Sequence, residues 1–142
     1  MKKYSQICTI TDIATVAKKI LNDCQDVEVI LLKGTLGAGK TTLAIELLRQ
    51  SGVVDEMQSP TYTYLQAYEN SIGKKFYHFD LYRLKNKESF LFAGFDDFLY
   101  QTNALVIIEW PEIIESLFDK NICYIDLEYM DEISRKINWY YK

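Results

Sequence analysis

Residues 27–42 read Val27 Glu28 Val29 Ile30 Leu31 Leu32 Lys33 Gly34 Thr35 Leu36 Gly37 Ala38 Gly39 Lys40 Thr41 Thr42, and the change of texture along this stretch decides the fold. Val27 to Leu32 is a compact apolar run, rich in β-branched residues and followed by glycines, the pattern of a strand buried inside a parallel sheet. Lys40 to Gln50 carries Leu43, Leu47 and Leu48 on a helical period and stops at Ser51 Gly52, which predicts a helix. Between the two, Gly34 to Thr41 fits the phosphate-loop pattern at every fixed position, in the strand, loop, helix order that the pattern requires. Glycines let the backbone turn its N–H groups inward around phosphate oxygens, and the positive end of the following helix faces the same charge. The expected cofactors are therefore ATP and Mg2+. Gly34, Leu36, Gly37, Ala38 and Gly39 are expected to line the phosphates with Thr42 beside them, Lys40 to reach the β and γ phosphates, and Thr41 to place its hydroxyl on the metal. A lysine at a helix start would otherwise oppose the helix dipole, which argues against an idle glycine turn.

Outward from this stretch, Thr11 and Asp12 precede Ile13, Val16, Ala17, Ile20 and Leu21, a capped amphipathic helix. On the other side, Thr61 to Tyr68 and Phe76 to Tyr82 are aromatic-rich runs separated by the turn-forming Glu69 Asn70 Ser71 Ile72 Gly73, which predicts an antiparallel hairpin. Glu88 to Tyr100 suits one or two short helices around Gly94. Ala104 to Ile108 is a second buried strand, stopped at Pro111, and Glu112 to Phe118 a short helix. Ile122 to Tyr129 and Ile133 to Tyr140 form a closing pair of strands around Met130 Asp131 Glu132. The expectation is one α/β domain over residues 1–142, with a mixed central sheet, a parallel core and an antiparallel hairpin side, flanked by helices.

Composition narrows the function. With 142 residues, 49% of them hydrophobic and 25% charged, the chain fits one globular core. Its apolar runs fall far short of the roughly 20 residues that span a bilayer, and the start shows no secretory pattern, so no membrane partner and a cytoplasmic location are expected. The net charge of -4 disfavours a protein that grips nucleic acid through its phosphates. Cys8, Cys24 and Cys123 are odd in number and widely spaced, which reads as buried or free reduced thiols and not as a metal site.

A phosphate loop needs a carboxylate near its magnesium, and two stand at the ends of apolar strands, Asp80 and Glu109. Glu109 follows Val106 Ile107 Ile108 in a strand expected to run parallel to the one feeding the loop, which places it beside the phosphates as the outer-sphere magnesium residue. Asp80 shares a strand face with His78 and Tyr82 by the two-residue period, the pattern of a polar face presented together. His78, the only histidine, reads more readily as a hydrogen-bonded structural residue than as a general base, and Arg83 equally as a contact to phosphate or to a partner's acidic group and as an exposed strand end. Thr61 follows Ser59 Pro60, and its hydroxyl on this proline-stiffened loop reads either as a sensor of a γ phosphate or as part of an ordinary turn.

Gly34 to Thr42, then Ser59 Pro60 Thr61 Tyr62, then His78 Phe79 Asp80 Leu81 Tyr82 Arg83 Leu84, then Glu109 Trp110 Pro111 Glu112, in this order, resemble the TsaE family, also called YjeE. The resemblance runs from the N-terminal helix to the helix after Trp110. It implies a bacterial cytoplasmic ATPase required for the threonylcarbamoyladenosine modification of tRNA, working with TsaD-like and TsaB-like proteins and meeting tRNA only indirectly through that complex. It further implies that Lys40 and Thr41 bind phosphate and magnesium, that Thr61 belongs to a switch-like loop, that Asp80 and Glu109 serve the metal and water, and that Trp110 lies close to the nucleotide. At Thr35, a variable position of the loop pattern, family members often carry Asp. Two other readings share the loop: a small-molecule kinase, disfavoured by few arginines and no lid insertion, and a nucleotide-dependent binding switch without useful turnover.

Overall fold

The computed structural model describes residues 2–60 and 63–142. Its strands are β1 (Lys3–Thr9), β2 (Val29–Gly34), β3 (Leu65–Glu69), β4 (Lys75–Asp80), β5 (Ala104–Glu109), β6 (Ile122–Tyr129) and β7 (Ser134–Tyr141), and its helices α1 (Ile13–Asp23), α2 (Lys40–Gln50) and α3 (Lys87–Phe92). Short 3-10 turns cover Ile10–Asp12, Phe95–Phe98 and Pro111–Leu117. All seven strands form one sheet in the order β1-β7-β6-β2-β5-β4-β3.

Strand β2 lies between β5 and β6 and runs parallel to both, and β4 runs parallel to β5. The expected hairpin, β3 against β4, closes one side. A second antiparallel group, β6 with β7 and β7 with β1, closes the other. Strand β1 is absent from the sequence reading because its side chains barely mark it: of Lys3 to Thr9 only Cys8 is buried, and backbone pairing with β7 holds the rest at the sheet edge. The segment after Pro111 is a 3-10 turn where a short helix is expected.

The two-residue period of the central strands sorts their side chains into two cores. Ile30, Leu32, Leu105, Ile107 and Phe76 face α1 and α2, packing with Val16, Ala17, Ile20, Leu43, Leu47 and Leu48. Val29, Leu31, Val106, Ile108 and Phe79 face the opposite layer, where Phe90, Ile114 and Phe118 cover them. Burial on both faces is why β2 and β5 are continuous apolar runs with no polar alternation. Each fully buried aliphatic or aromatic side chain contributes about 1.5–3 kcal/mol, so the sheet's C-terminal edge is a stiff platform for whatever stands on it.

Candidate functional site

The carboxyl ends of β2, β4 and β5 meet at the start of α2, where open parallel sheets hold their ligands. The chain leaves β2 at Gly34, where no side chain fits: a Cβ would lie 2.7 Å from the Leu127 carbonyl oxygen and 3.2 Å from the Ala38 Cβ. The loop closes on itself through the Ala38 amide, which donates to the Thr35 carbonyl at 3.1 Å. Gly39 enters α2 as its N-cap with φ of 99°, a left-handed conformation that glycine adopts without strain.

Lys40, at the first helical position, is 5% exposed, and its Nζ donates to the Gly34 carbonyl at 2.7 Å and the Thr35 carbonyl at 2.9 Å. The ammonium also sits 4.0 Å from the centre of the Trp110 ring. Burial pulls the Lys40 pKa below the usual lysine value, opposed by the neighbouring negative charges of Glu109, Asp80 and Glu112. Trp110 reaches this position because it turns the chain out of β5 with φ of 58°, its amide bonded to the Leu32 carbonyl at 3.3 Å and Pro111 starting the turn that follows. The Tyr82 ring stands 4.9 Å from it.

Behind the lysine lies a line of buried and partly buried hydrogen bonds across three elements. The Thr41 hydroxyl donates to Glu109 Oε1 at 2.7 Å, and Glu109 Oε2 lies 2.6 Å from His78 Nε2. Asp80 pairs with Glu109 in register on the neighbouring strand, is also buried, and accepts from the Tyr82 amide at 3.1 Å. Gly37, Ala38, Gly39, Lys40, Thr41, Thr42, Leu36, Asp80, Glu109 and Trp110 thus border one cavity of ≈ 380 Å³, with Gly34 tied in through Lys40. Thr61 lies outside the described residues. Arg83 is exposed and away from the cavity. Among the described residues, no three His, Cys, Asp or Glu side chains are grouped to hold a metal by themselves.

Three residues of this cavity are given no site role in the sequence reading. Ile10, in the turn before α1, and Ile13, at its start, supply an apolar wall. Arg135, on β7, is 8% exposed: its Nε donates to the Ala38 carbonyl at 3.0 Å, and its Nη1 to the carbonyls of Asp131 at 2.7 Å and Ser134 at 2.9 Å. Its guanidinium carbon lies 4.6 Å from the centre of the Tyr129 ring. A signal for it exists, because Arg135, Ile137 and Trp139 share one strand face, and a charge on a buried face needs partners. The cysteines are free and buried as expected, but Cys24 and Cys123 meet, with Sγ atoms 3.0 Å apart.

A central parallel sheet with this glycine loop at its carboxyl edge defines an α/β domain of the phosphate-loop NTPase type. The crystal structure of Bacillus subtilis YdiB superposes with a TM-score of 0.75 at 22% identity, covering 97% of this chain and 84% of that one, so the two share a fold. The family model for the threonylcarbamoyl adenosine biosynthesis protein TsaE matches residues 8–137, and the chain belongs to that family. Among relatives, the tRNA threonylcarbamoyladenosine biosynthesis protein TsaE of Haemophilus influenzae is 39% identical over 103 residues, 72% of this chain and 64% of that protein. Its namesake from Rickettsia felis is 38% identical over 120 residues, 84% of this chain and 68% of that protein. The chain therefore spans just under two thirds of the length of the Haemophilus relative.

Proposed function

We propose that the chain binds Mg-ATP at the Gly34 to Thr41 loop and hydrolyses it in the service of tRNA threonylcarbamoyladenosine synthesis, in association with TsaD-like and TsaB-like proteins. The observation that carries the reading is the buried Lys40 ammonium, folded onto its own loop carbonyls at the mouth of the ≈ 380 Å³ cavity. A desolvated cation whose hydrogen-bond acceptors among the described residues are two neutral carbonyls is poised to trade them for an anion, and the cavity is of the size that small ligands occupy.

The residues present fit magnesium arriving with its nucleotide. Magnesium keeps several waters and takes one or two protein groups plus phosphate oxygens, which suits a site with the Thr41 hydroxyl and flanking carboxylates and, among the described residues, no cage of three. Thr41 would hold the ion directly and Glu109 through water, while the ion itself neutralises charge on the β and γ phosphates. The loop backbone and Lys40 hold the phosphates, Ile10 and Ile13 offer apolar surface to the base, and Trp110 shields the lysine from water. Asp80, buried beside Glu109 and held by the Tyr82 amide, accepts from and orients the attacking water. Any contact with tRNA runs through the partner complex, in keeping with the net charge of -4.

The test is phosphate release and complex formation with the host's TsaB and TsaD equivalents, with and without ATP. Nucleotide-dependent association and partner-stimulated turnover are expected. Asp80→Ala is expected to retain ATP affinity and lose about 100- to 10,000-fold in turnover, the range for general acid–base groups. Association indifferent to nucleotide, or unchanged turnover in the Asp80 variant, contradicts the respective assignment.

A further inference from the structure

His78 is fully buried, and the site as described leaves it without a task. Its Nε2 lies 2.6 Å from Glu109 Oε2, while its Nδ1 has no hydrogen-bond partner among the described residues. Glu109 is thereby gripped from two sides, with Oε1 accepting from Thr41 at the start of α2 and Oε2 held by β4. The proton follows from the chemistry of the acceptor. A carboxylate only accepts, so Nε2 carries the hydrogen.

The terminal torsion of a glutamate is broad and two-fold, so a single bond from Thr41 would leave the carboxylate free to rock about its axis. A second bond, from an imidazole fixed by its own burial, sets the carboxylate plane. We propose that His78 is a positioning residue: its Nε2–H holds Glu109 with Oε1 turned to Thr41, so that hydroxyl and carboxylate present one pre-set wall to the magnesium of an incoming nucleotide. This rests on the Mg-ATP reading above and deepens it. Partners that orient a metal-site group through a hydrogen bond are typically worth 10–100-fold in metal affinity. The hydrogen bond of His78 goes to Glu109 and those of Lys40 to the Gly34 and Thr35 carbonyls, so the effect is expected on the metal-dependent part of binding.

The donor position makes the inference testable, since a glutamine amide reaches the place of Nε2, an asparagine amide reaches only that of Nδ1, and leucine supplies no donor. ATP is titrated calorimetrically into wild type, His78→Gln, His78→Asn and His78→Leu, once with EDTA and once with MgCl2, with thermal unfolding recorded for each. The expected result is wild-type affinity for metal-free ATP in all four, with the gain in affinity on adding Mg2+ kept in His78→Gln and reduced about 10–100-fold in His78→Asn and His78→Leu. A merely structural role would make the loss follow the unfolding midpoint and not the donor position. Wild-type Mg2+ enhancement in His78→Leu overturns the inference and leaves the nucleotide reading intact. If that variant does not fold, equal enhancement in the Gln and Asn variants overturns it in the same way. Absence of ATP binding by the wild type overturns the nucleotide reading itself.

Discussion

Replacing Arg135 by alanine is expected to loosen the glycine loop and lower stability together, because one guanidinium ties the loop to the turn between β6 and β7. The magnitude follows from its partners. The bond to the buried Ala38 carbonyl, at 3.0 Å, is charge-assisted and worth about 1.5–3 kcal/mol. The bonds to Asp131 and Ser134, in a more exposed turn, are replaced by water at little cost, and the contact with Tyr129 adds about 0.5–1 kcal/mol. Relief of guanidinium desolvation offsets part of the resulting sum, so a loss of about 1–3 kcal/mol is expected. For a domain of this size that corresponds to a fall in melting temperature of roughly 3–12 °C. If the freed loop holds its wound form about a tenth of the time, apparent affinity for ATP drops about tenfold. Arg135→Lys is expected to rescue little, since an ammonium cannot span both sides of the fork. Urea unfolding and ATP titration measure the two effects, and an Arg135→Ala protein within about 0.5 kcal/mol of wild type would refute the reasoning.

Other outcomes follow from the same geometry. Gly34→Ala places a Cβ 2.7 Å from the Leu127 carbonyl, and since that acceptor is backbone in the neighbouring strand, a loss of at least about 2 kcal/mol and of ATP binding is expected from chemical denaturation and titration. ATP affinity is expected to decline at alkaline pH before the ordinary lysine range is reached. Burial lowers the Lys40 pKa in the free protein and a triphosphate raises it, so above the free-state pKa binding must take up a proton. Affinity measured across that alkaline window should fall as pH rises for wild type and stay flat for Lys40→Met; a flat wild-type profile would contradict the assignment.

What the sequence discloses and what it hides divides along physical lines. Central strands buried on both faces must be continuously apolar, so β2 and β5 are plain to read, and α2 stands out through its leucine spacing and glycine boundaries. The glycine loop, with Lys40 and Thr41, is legible because phosphate chemistry restricts residue types at fixed spacing. Asp80 and Glu109 are legible as carboxylates ending apolar strands, and the structure places them side by side in register. Contacts made across the sheet are hidden. Nothing local marks that Arg135 crosses to the Ala38 carbonyl, that His78 reaches Glu109, or that Cys24 and Cys123 meet, because each joins segments far apart in the chain. Strand β1 is hidden for another reason: an edge strand held by backbone pairing need not carry an apolar pattern.

The central claim is that the Gly34 to Thr41 loop holds a triphosphate, with the Lys40 ammonium as its main counter-charge. Calorimetric titration of Mg-ATP into wild type and Lys40→Ala, with unfolding curves for both, tests it most directly. Truncating one partner of a buried charge pair costs about 2–5 kcal/mol, so affinity is expected to fall about 30-fold to several thousand-fold while the fold is kept. Equal affinity in the two proteins, or heat of binding in neither, would contradict it.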